Sequence, residues 1–340
     1  MSSLQKATET ETSPLEELSS LLNDDMKQVN TLILKHLHSD VALIPQVAAW
    51  LIAAGGKRIR PLLTLAATRL YGDTGSRPYG LAASVEFIHT ATLLHDDVVD
   101  KSEERRGKDS ANIVFGNQAS VLVGDFLFSR AFQLMVADGS LEVLRILSDA
   151  SAIISEGEVM QLQTANDLGT TMAQYEAVIS AKTAALFAAA CEIGPVIAGA
   201  DKDAQEAMRT YGHNLGMAFQ VADDILDYSA DGAKLGKAVG DDFREGKMTA
   251  PVILALTQAN EEEKSFWNKA IVEKSQTPDD LLRAQKILQR TDALSQGMDM
   301  ARAYAAKAQS ALPQNLSAKK GDALCTTLYN LADFAVDRCY

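Results

Sequence analysis

The chain has 340 residues, with 45 Asp plus Glu against 32 Lys plus Arg, a formal net charge of −13 and a pI near 4.9. That balance excludes a nucleic-acid binder, because affinity for a phosphate backbone is carried by clustered Lys and Arg on a basic face. At 47% hydrophobic and 23% charged residues, the composition is that of a globular protein with a sizeable core.

Residues 1–25 hold Glu9, Glu11, Glu16, Glu17, Asp24 and Asp25 against Lys6 alone, and are read as an acidic, mobile tail ahead of a single domain over 26–340. They show neither a secretory signal nor an Arg-rich transit pattern, so a cytoplasmic protein is expected. Apolar residues recur at helical spacing from Leu15, Leu18, Leu21 and Leu22 through Val29, Leu32 and Ile33 onward, with no sustained period-2 alternation. Breaks fall at Pro45, Gly55-Gly56, Pro61, Gly72, Pro78, Gly194-Pro195, Pro278 and Pro313, which predicts an all-α fold.

Gly55 to Arg60 reads as a loop, because a following proline biases Arg60 toward an extended backbone and Pro61 suits a first helical turn. Residues 72–80 and 228–242 read as connectors, and 257–280 as a polar, exposed region. The mid-chain apolar stretch from Ala184 to Cys191 is far short of the ~20 residues of a membrane span, so no transmembrane helix is expected. Cys191, Cys325 and Cys339 lack the close spacing of a disulfide framework or a zinc site and read as free thiols.

Residues 95–100 read His-Asp-Asp-Val-Val-Asp and residues 222–227 read Ala-Asp-Asp-Ile-Leu-Asp, the same Asp-Asp-x-x-Asp pattern twice. On a helix, positions i and i+4 lie about 40° apart, so Asp96 and Asp100 share a face with Asp97 at its edge. Asp223, Asp227 and Asp224 repeat the arrangement. Both sets sit in apolar runs, where clustered carboxylates need a compensating cation. Oxygen-only ligands suit Mg²⁺, which keeps several waters and completes its shell from substrate phosphate.

One such motif alone has a solvated polar face as its plain alternative, the less favoured of the two readings. Here cations accompany both: Lys57, Arg58 and Arg60, then Arg105 and Arg106, Lys182 beside Thr183, and Lys237 and Lys247. Arg forks suit bidentate phosphate binding and Lys supplies point charge.

These residues resemble the trans-isoprenyl diphosphate synthases. The resemblance rests on Gly-Gly-Lys-Arg-Ile-Arg-Pro (55–61), the run from Glu86 to Asp100, Arg-Arg-Gly-Lys (105–108), Lys-Thr (182–183), Phe-Gln-Val-Ala-Asp-Asp-Ile-Leu-Asp (219–227) and Gly-Lys-Ala-Val-Gly-Asp-Asp (236–242). In appearance the chain is most similar to bacterial long-chain octaprenyl, solanesyl and decaprenyl diphosphate synthases. The resemblance implies a single-domain helical bundle around a central cavity, a homodimer, and Mg²⁺-dependent head-to-tail condensation of isopentenyl diphosphate onto an allylic diphosphate such as farnesyl or geranylgeranyl diphosphate. A product of about eight to ten isoprene units for a quinone side chain is expected.

By the same resemblance, Asp96 and Asp100 would hold two of three Mg²⁺, and Asp223, supported by Asp224 and Asp227, the third. Arg105, Lys182 and Lys247 would grip the allylic diphosphate, with Lys237 nearby. Lys57, Arg60, His89 and Arg106 would bind isopentenyl diphosphate, and Thr183 and Gln220 would line the path of the reacting carbons. Asp97 counts with the catalytic set. His95 also reads as a packing or hydrogen-bonding residue, and the stretch from Glu156 to Gln161 borders the cavity with no chemistry assigned.

Short-chain members carry bulky aromatics four or five positions before the first aspartate, as a floor. Here these positions are Thr92 and Ala91, so the floor lies lower, and Phe87, Ile88, Met135 and Phe132 are its candidates. From Asp96 back to Leu81 a helix rises about 22 Å. A long product would therefore bend or pass along a dimer interface.

Three rival functions remain. An HD-type metal phosphohydrolase would use His95-Asp96 but leaves the second Asp motif unexplained. A terpene cyclase has no need of Lys57, Arg60 and Arg106, and a non-catalytic partner subunit has no need of two intact Asp motifs. A shorter-chain farnesyl or geranylgeranyl diphosphate synthase is the nearer alternative.

Overall fold

Ser13 opens the first helix with a reciprocal cap: its hydroxyl accepts from the Glu16 backbone while the Glu16 carboxylate accepts from the Ser13 backbone. The computed structural model describes residues 12–53, 56–105, 107–229, 239–313 and 319–337. In it, α1 (Pro14–Leu21) and α2 (Asn23–His36) turn Leu15, Leu18, Leu22, Val29 and Ile33 inward and leave Glu16, Glu17 and Asp24 in solvent. Asp25 accepts from both Nε and Nη2 of the buried Arg69, at 3.2 and 2.7 Å. The tail reading is therefore corrected: from Ser13 the chain belongs to the bundle, because a leucine seam decides placement where acids can face water. Residues 1–11 lie outside the described residues.

The chain continues through α3 (Leu43–Ala53), α4 (Ile59–Leu70) and α5 (Arg77–Val99), then a two-residue antiparallel hairpin of β1 (Glu104–Arg105) and β2 (Lys108–Asp109). After it come α6 (Ala111–Phe115), α7 (Asn117–Asp138), α8 (Leu141–Thr164) and α9 (Met172–Ile179). A π-turn over Ser180–Ala184 leads into α10 (Ala185–Ile197) and α11 (Lys202–Leu226). The C-terminal part comprises α12 (Asp241–Glu245), α13 (Ala250–Thr257), α14 (Glu261–Trp267), a second π-turn over Asn268–Val272, α15 (Asp280–Arg290), α16 (Ala293–Ala311) and α17 (Lys319–Asp337).

The all-α expectation holds apart from the hairpin, a period-2 element too short to register in the sequence. Three boundaries move. Helix α4 starts at Ile59, so Arg60 lies in its first turn. Residues 77–80 are the first turn of α5, which Pro78 suits. The region 257–280 contains α14, whose Phe266 and Trp267 are buried under the charged face of Glu261 and Glu262.

Helix α5 packs along α7, α4 along α10, and α11 lies between α10 and α16. Two segments, Asn117–Asp138 and Met172–Ile197, are long and apolar enough to cross a membrane by length and composition. The second is 72% buried inside the bundle and is a core segment, while the first is 39% buried and presents an apolar outer face.

Candidate active site

Both Asp motifs lie in the last turns of long helices: Asp96, Asp97 and Asp100 end α5, and Asp223, Asp224 and Asp227 end α11. The C-terminus of a helix carries the negative end of its macrodipole, so six carboxylates occupy the least favourable ends for anions. Such an arrangement calls for cations, and lysines supply part of the countercharge.

The π-turn projects Lys182 between the first motif and α8, where its ammonium lies 2.9 Å from Glu158 and 3.7 Å from Asp96. Gly157 permits this approach: a Cβ there would meet the Lys182 backbone nitrogen at 2.8 Å. Lys247 spans the two halves, 3.5 Å from Asp100 and 3.8 Å from Asp242, and is paired with Glu245. Burial pushes Asp96 up to about 6 against the pull of Lys182, with Glu158 and Asp100 pushing further. Burial opposes the charge of both lysines, yet the surrounding carboxylates hold each above its ordinary value.

In the second motif, Asp224 is buried and fully engaged. Its Oδ2 accepts from the Tyr175 hydroxyl at 2.6 Å and its Oδ1 from Gln220 Nε2 at 2.7 Å. Gln220 Oε1 in turn accepts from the Thr183 hydroxyl at 2.8 Å. Asp227 accepts from the backbone nitrogens of Asp241 and Asp242 at 3.1 and 3.0 Å, fixing the start of α12. Burial raises Asp224 to about 7 and Asp227 to about 6, each opposed by the donors just named. Asp223 is half-buried one turn before Asp227.

A cavity of about 100 Å³ opens among Tyr175, Lys182, Thr183, Gln220, Asp224 and Lys247. Among the described residues no three acidic, His or Cys side chains converge to hold a metal alone. Hard-oxygen donors at dipole-disfavoured helix ends fit a divalent cation that completes its shell with water and diphosphate oxygen, as Mg²⁺ does.

A second group lies beside the first. Arg60 Nη1 is 3.2 Å from His89 Nε2 and its guanidinium sits 4.4 Å over the Phe187 ring. Lys57 stands 5.7 Å from the ring centre of Phe334, at an apolar pocket shared with Phe187 and Phe219. The Phe187 and Phe219 rings, 5.7 Å apart, connect this group to Gln220 in the next position.

Two of the expected site residues are paired with each other: the fully buried Asp97 receives Arg105 Nε at 2.7 Å. His95 turns away from Asp96 toward α7, 3.2 Å from the Val121 carbonyl and 3.5 Å from Asp125, where only a glycine at 124 leaves room for its ring. That removes the His-Asp doublet of a phosphohydrolase. Ala91, Phe87, Ile88 and Met135 are buried, the Thr92 hydroxyl donates to the His89 carbonyl at 2.8 Å, and Phe132 is 39% exposed. Arg106 and Lys237 lie outside the described residues.

Sequence reading left Glu158, Asp242 and Tyr175 without a role. Glu158 stood in a noted stretch beside Gly157, and Asp242 in a quoted motif. Tyr175 carried no signal, since its partner is remote in sequence.

The family model for polyprenyl synthetases matches residues 41–288. The chain belongs to the polyprenyl synthetase family. This polyprenyl synthetase is 49% identical over 257 residues to the octaprenyl diphosphate synthase of Escherichia coli, covering 76% of this chain and 80% of that one. The decaprenyl diphosphate synthase structure from Rhodobacter capsulatus matches with TM-score 0.91 and 48% identity, over 96% of this chain and 100% of that one. A polyprenyl synthase from Caulobacter crescentus, complexed with calcium and isoprenyl diphosphate, matches with TM-score 0.91 and 50% identity over 97% and 99% of the two chains. The protein is a trans-prenyl diphosphate synthase, a prenyltransferase with long-chain relatives.

Proposed function

We propose that this polyprenyl synthetase is a long-chain all-trans synthase that adds isopentenyl diphosphate repeatedly to farnesyl or geranylgeranyl diphosphate, ending at about C40 to C50 for a quinone side chain. The observation that carries the reading is the pair of Asp motifs at two helix ends with Lys247 between them, 3.5 Å from Asp100 of the first and 3.8 Å from Asp242, whose backbone nitrogen donates to Asp227 of the second, since that arrangement is built to receive a polyanion with its cations. Mg²⁺, three ions by family resemblance, would be held by Asp96, Asp100 and Asp223, with Asp224 and Asp227 supporting. When bound, it stabilises charge on the departing diphosphate.

Lys182 and Lys247 hold that leaving group from the protein side, where preplaced charge stabilises what develops as the allylic C–O bond breaks. Thr183 and Gln220 offer the resulting cation dipoles without a strong nucleophile. Lys57, Arg60 and His89 orient isopentenyl diphosphate so that its double bond attacks the cation. Hydroxyl and amide groups are weak bases, so the released diphosphate is the group to remove the final proton. Arg105 serves the diphosphate site from its pair with Asp97.

The small Ala91 and Thr92 support a long product, with Phe87, Ile88 and Met135 below them. The outer face of α7 supports a homodimer: Leu122 and Val136 are 67% and 64% exposed there. The enzyme is taken to be cytoplasmic, with transient membrane contact as the lipid product leaves.

Purified protein incubated with Mg²⁺, farnesyl diphosphate and labelled isopentenyl diphosphate is expected to form butanol-extractable product, lost on chelation with EDTA. An absence of extension rejects the reading.

A further inference from the structure

The hydrogen bonds around Asp224 all run one way. Asp224 is 4% exposed and Tyr175 3%, so both are largely withdrawn from bulk water. As a carboxylate, Asp224 only accepts, which obliges Gln220 to present its NH₂ and turns the Gln220 carbonyl toward Thr183. Thr183 then spends its single hydroxyl proton on that carbonyl. What its oxygen offers the cavity is lone pairs, the end of a dipole chain oriented by the two accepting oxygens of Asp224. Tyr175 occupies the remaining oxygen of Asp224 at 2.6 Å and so holds the carboxylate plane to which the chain is tied.

We propose that Tyr175 is a positioning residue of the condensation: through Asp224 it sets the Gln220 amide and turns the Thr183 lone pairs toward the allylic cation. The inference rests on the prenyl-transfer reading above and gives Asp224 a task distinct from holding metal. Oriented dipoles in a site closed to water stabilise developing charge because they need no reorganisation as it appears. Loss of the Tyr175 hydroxyl frees Asp224 to rotate, and the amide and hydroxyl lose their shared direction. The step affected is ionisation, not binding.

The experiment is steady-state kinetics of Tyr175→Phe with farnesyl diphosphate, isopentenyl diphosphate and Mg²⁺, alone and combined with Gln220→Leu. The phenyl ring keeps the packing, and an unchanged thermal midpoint checks the fold. Tyr175→Phe is expected to lower kcat about tenfold, less than the loss of a donor that touches charge directly. Both KM values and the Mg²⁺ midpoint are expected to stay within about twofold. In the Gln220→Leu background the Tyr175→Phe effect is expected to vanish, since the chain is already cut.

An unchanged kcat, a rise in KM without loss of kcat, or the same loss of kcat in both backgrounds overturns the proposal. Should Tyr175→Phe unfold, Asp224→Asn tests the same chain: an amide there lets Gln220 turn over, so kcat falls with both KM values retained. A retained kcat, or a rise in KM without loss of kcat, overturns the proposal in that variant. Wild-type protein that fails to extend any allylic diphosphate refutes the prenyl-transfer reading itself, whereas an active wild type with an unaffected variant refutes only the role of Tyr175.

Discussion

Arg105 reaches from the β1–β2 hairpin to the buried Asp97 and donates to its Oδ1 at 2.7 Å. The middle aspartate of the first motif therefore anchors the hairpin to the end of α5, while Asp96 and Asp100 face the lysines. The hairpin is held on its far side as well, by Trp50 Nε1 donating to the Asp109 carbonyl at 3.2 Å.

Asp97→Ala is accordingly expected to act on stability as well as turnover. Removing the buried carboxylate takes the partner from Arg105, whose side chain is a quarter exposed, at a cost of about 1 to 3 kcal/mol. Denaturant unfolding should show a lower midpoint than wild type, and an unchanged midpoint would contradict the anchoring.

Cation binding should depend on pH through carboxylates that hold protons too tightly. Burial raises Asp96 and Asp227 to about 6, and the metal-binding form is the deprotonated one. Affinity is thus full above that pH and lost as pH falls through it. The Mg²⁺ midpoint for activity is expected to rise roughly tenfold per pH unit below 6 for each proton displaced. Calorimetry at pH 6 in two buffers of different ionisation enthalpy should detect proton release, and identical heats would contradict it.

Ala91 is buried on α5 five positions before Asp96. Phenylalanine there should block the growing chain, so Ala91→Phe is expected to shift the product ladder to shorter lengths by mass spectrometry. Overpacking a tight helix contact costs about 1 to 3 kcal/mol, leaving a folded enzyme to assay. An unchanged ladder would remove Ala91 from length control.

Much of this was legible in the sequence because it is local. Helical periodicity reports burial directly, and two Asp-Asp-x-x-Asp motifs with flanking cations announce a polyanion site. Relations across the fold were not legible. Tyr175 meets Asp224 and Glu158 meets Lys182 only because separate helices converge. The acidic count of residues 1–25 outweighed the helical spacing of Leu15, Leu18 and Leu22 in the tail reading, although charge says little about where an amphipathic helix docks. Glu261, Glu262 and Glu263 likewise hid the buried Trp267.

The apolar outer face of α7 should close against a second copy. Leu122→Asp with Val136→Asp is expected to convert a dimer to monomer in analytical ultracentrifugation at micromolar concentration. A wild-type monomer, or a variant that remains dimeric, would contradict that assignment.

The central claim is product length, and sizing the product tests it most directly. Wild-type enzyme supplied with Mg²⁺, farnesyl diphosphate and excess labelled isopentenyl diphosphate should yield, after removal of the diphosphate, all-trans alcohols culminating at C40 to C50 by chromatography and mass spectrometry. A ladder that stops at C20 or below under the same excess would contradict it.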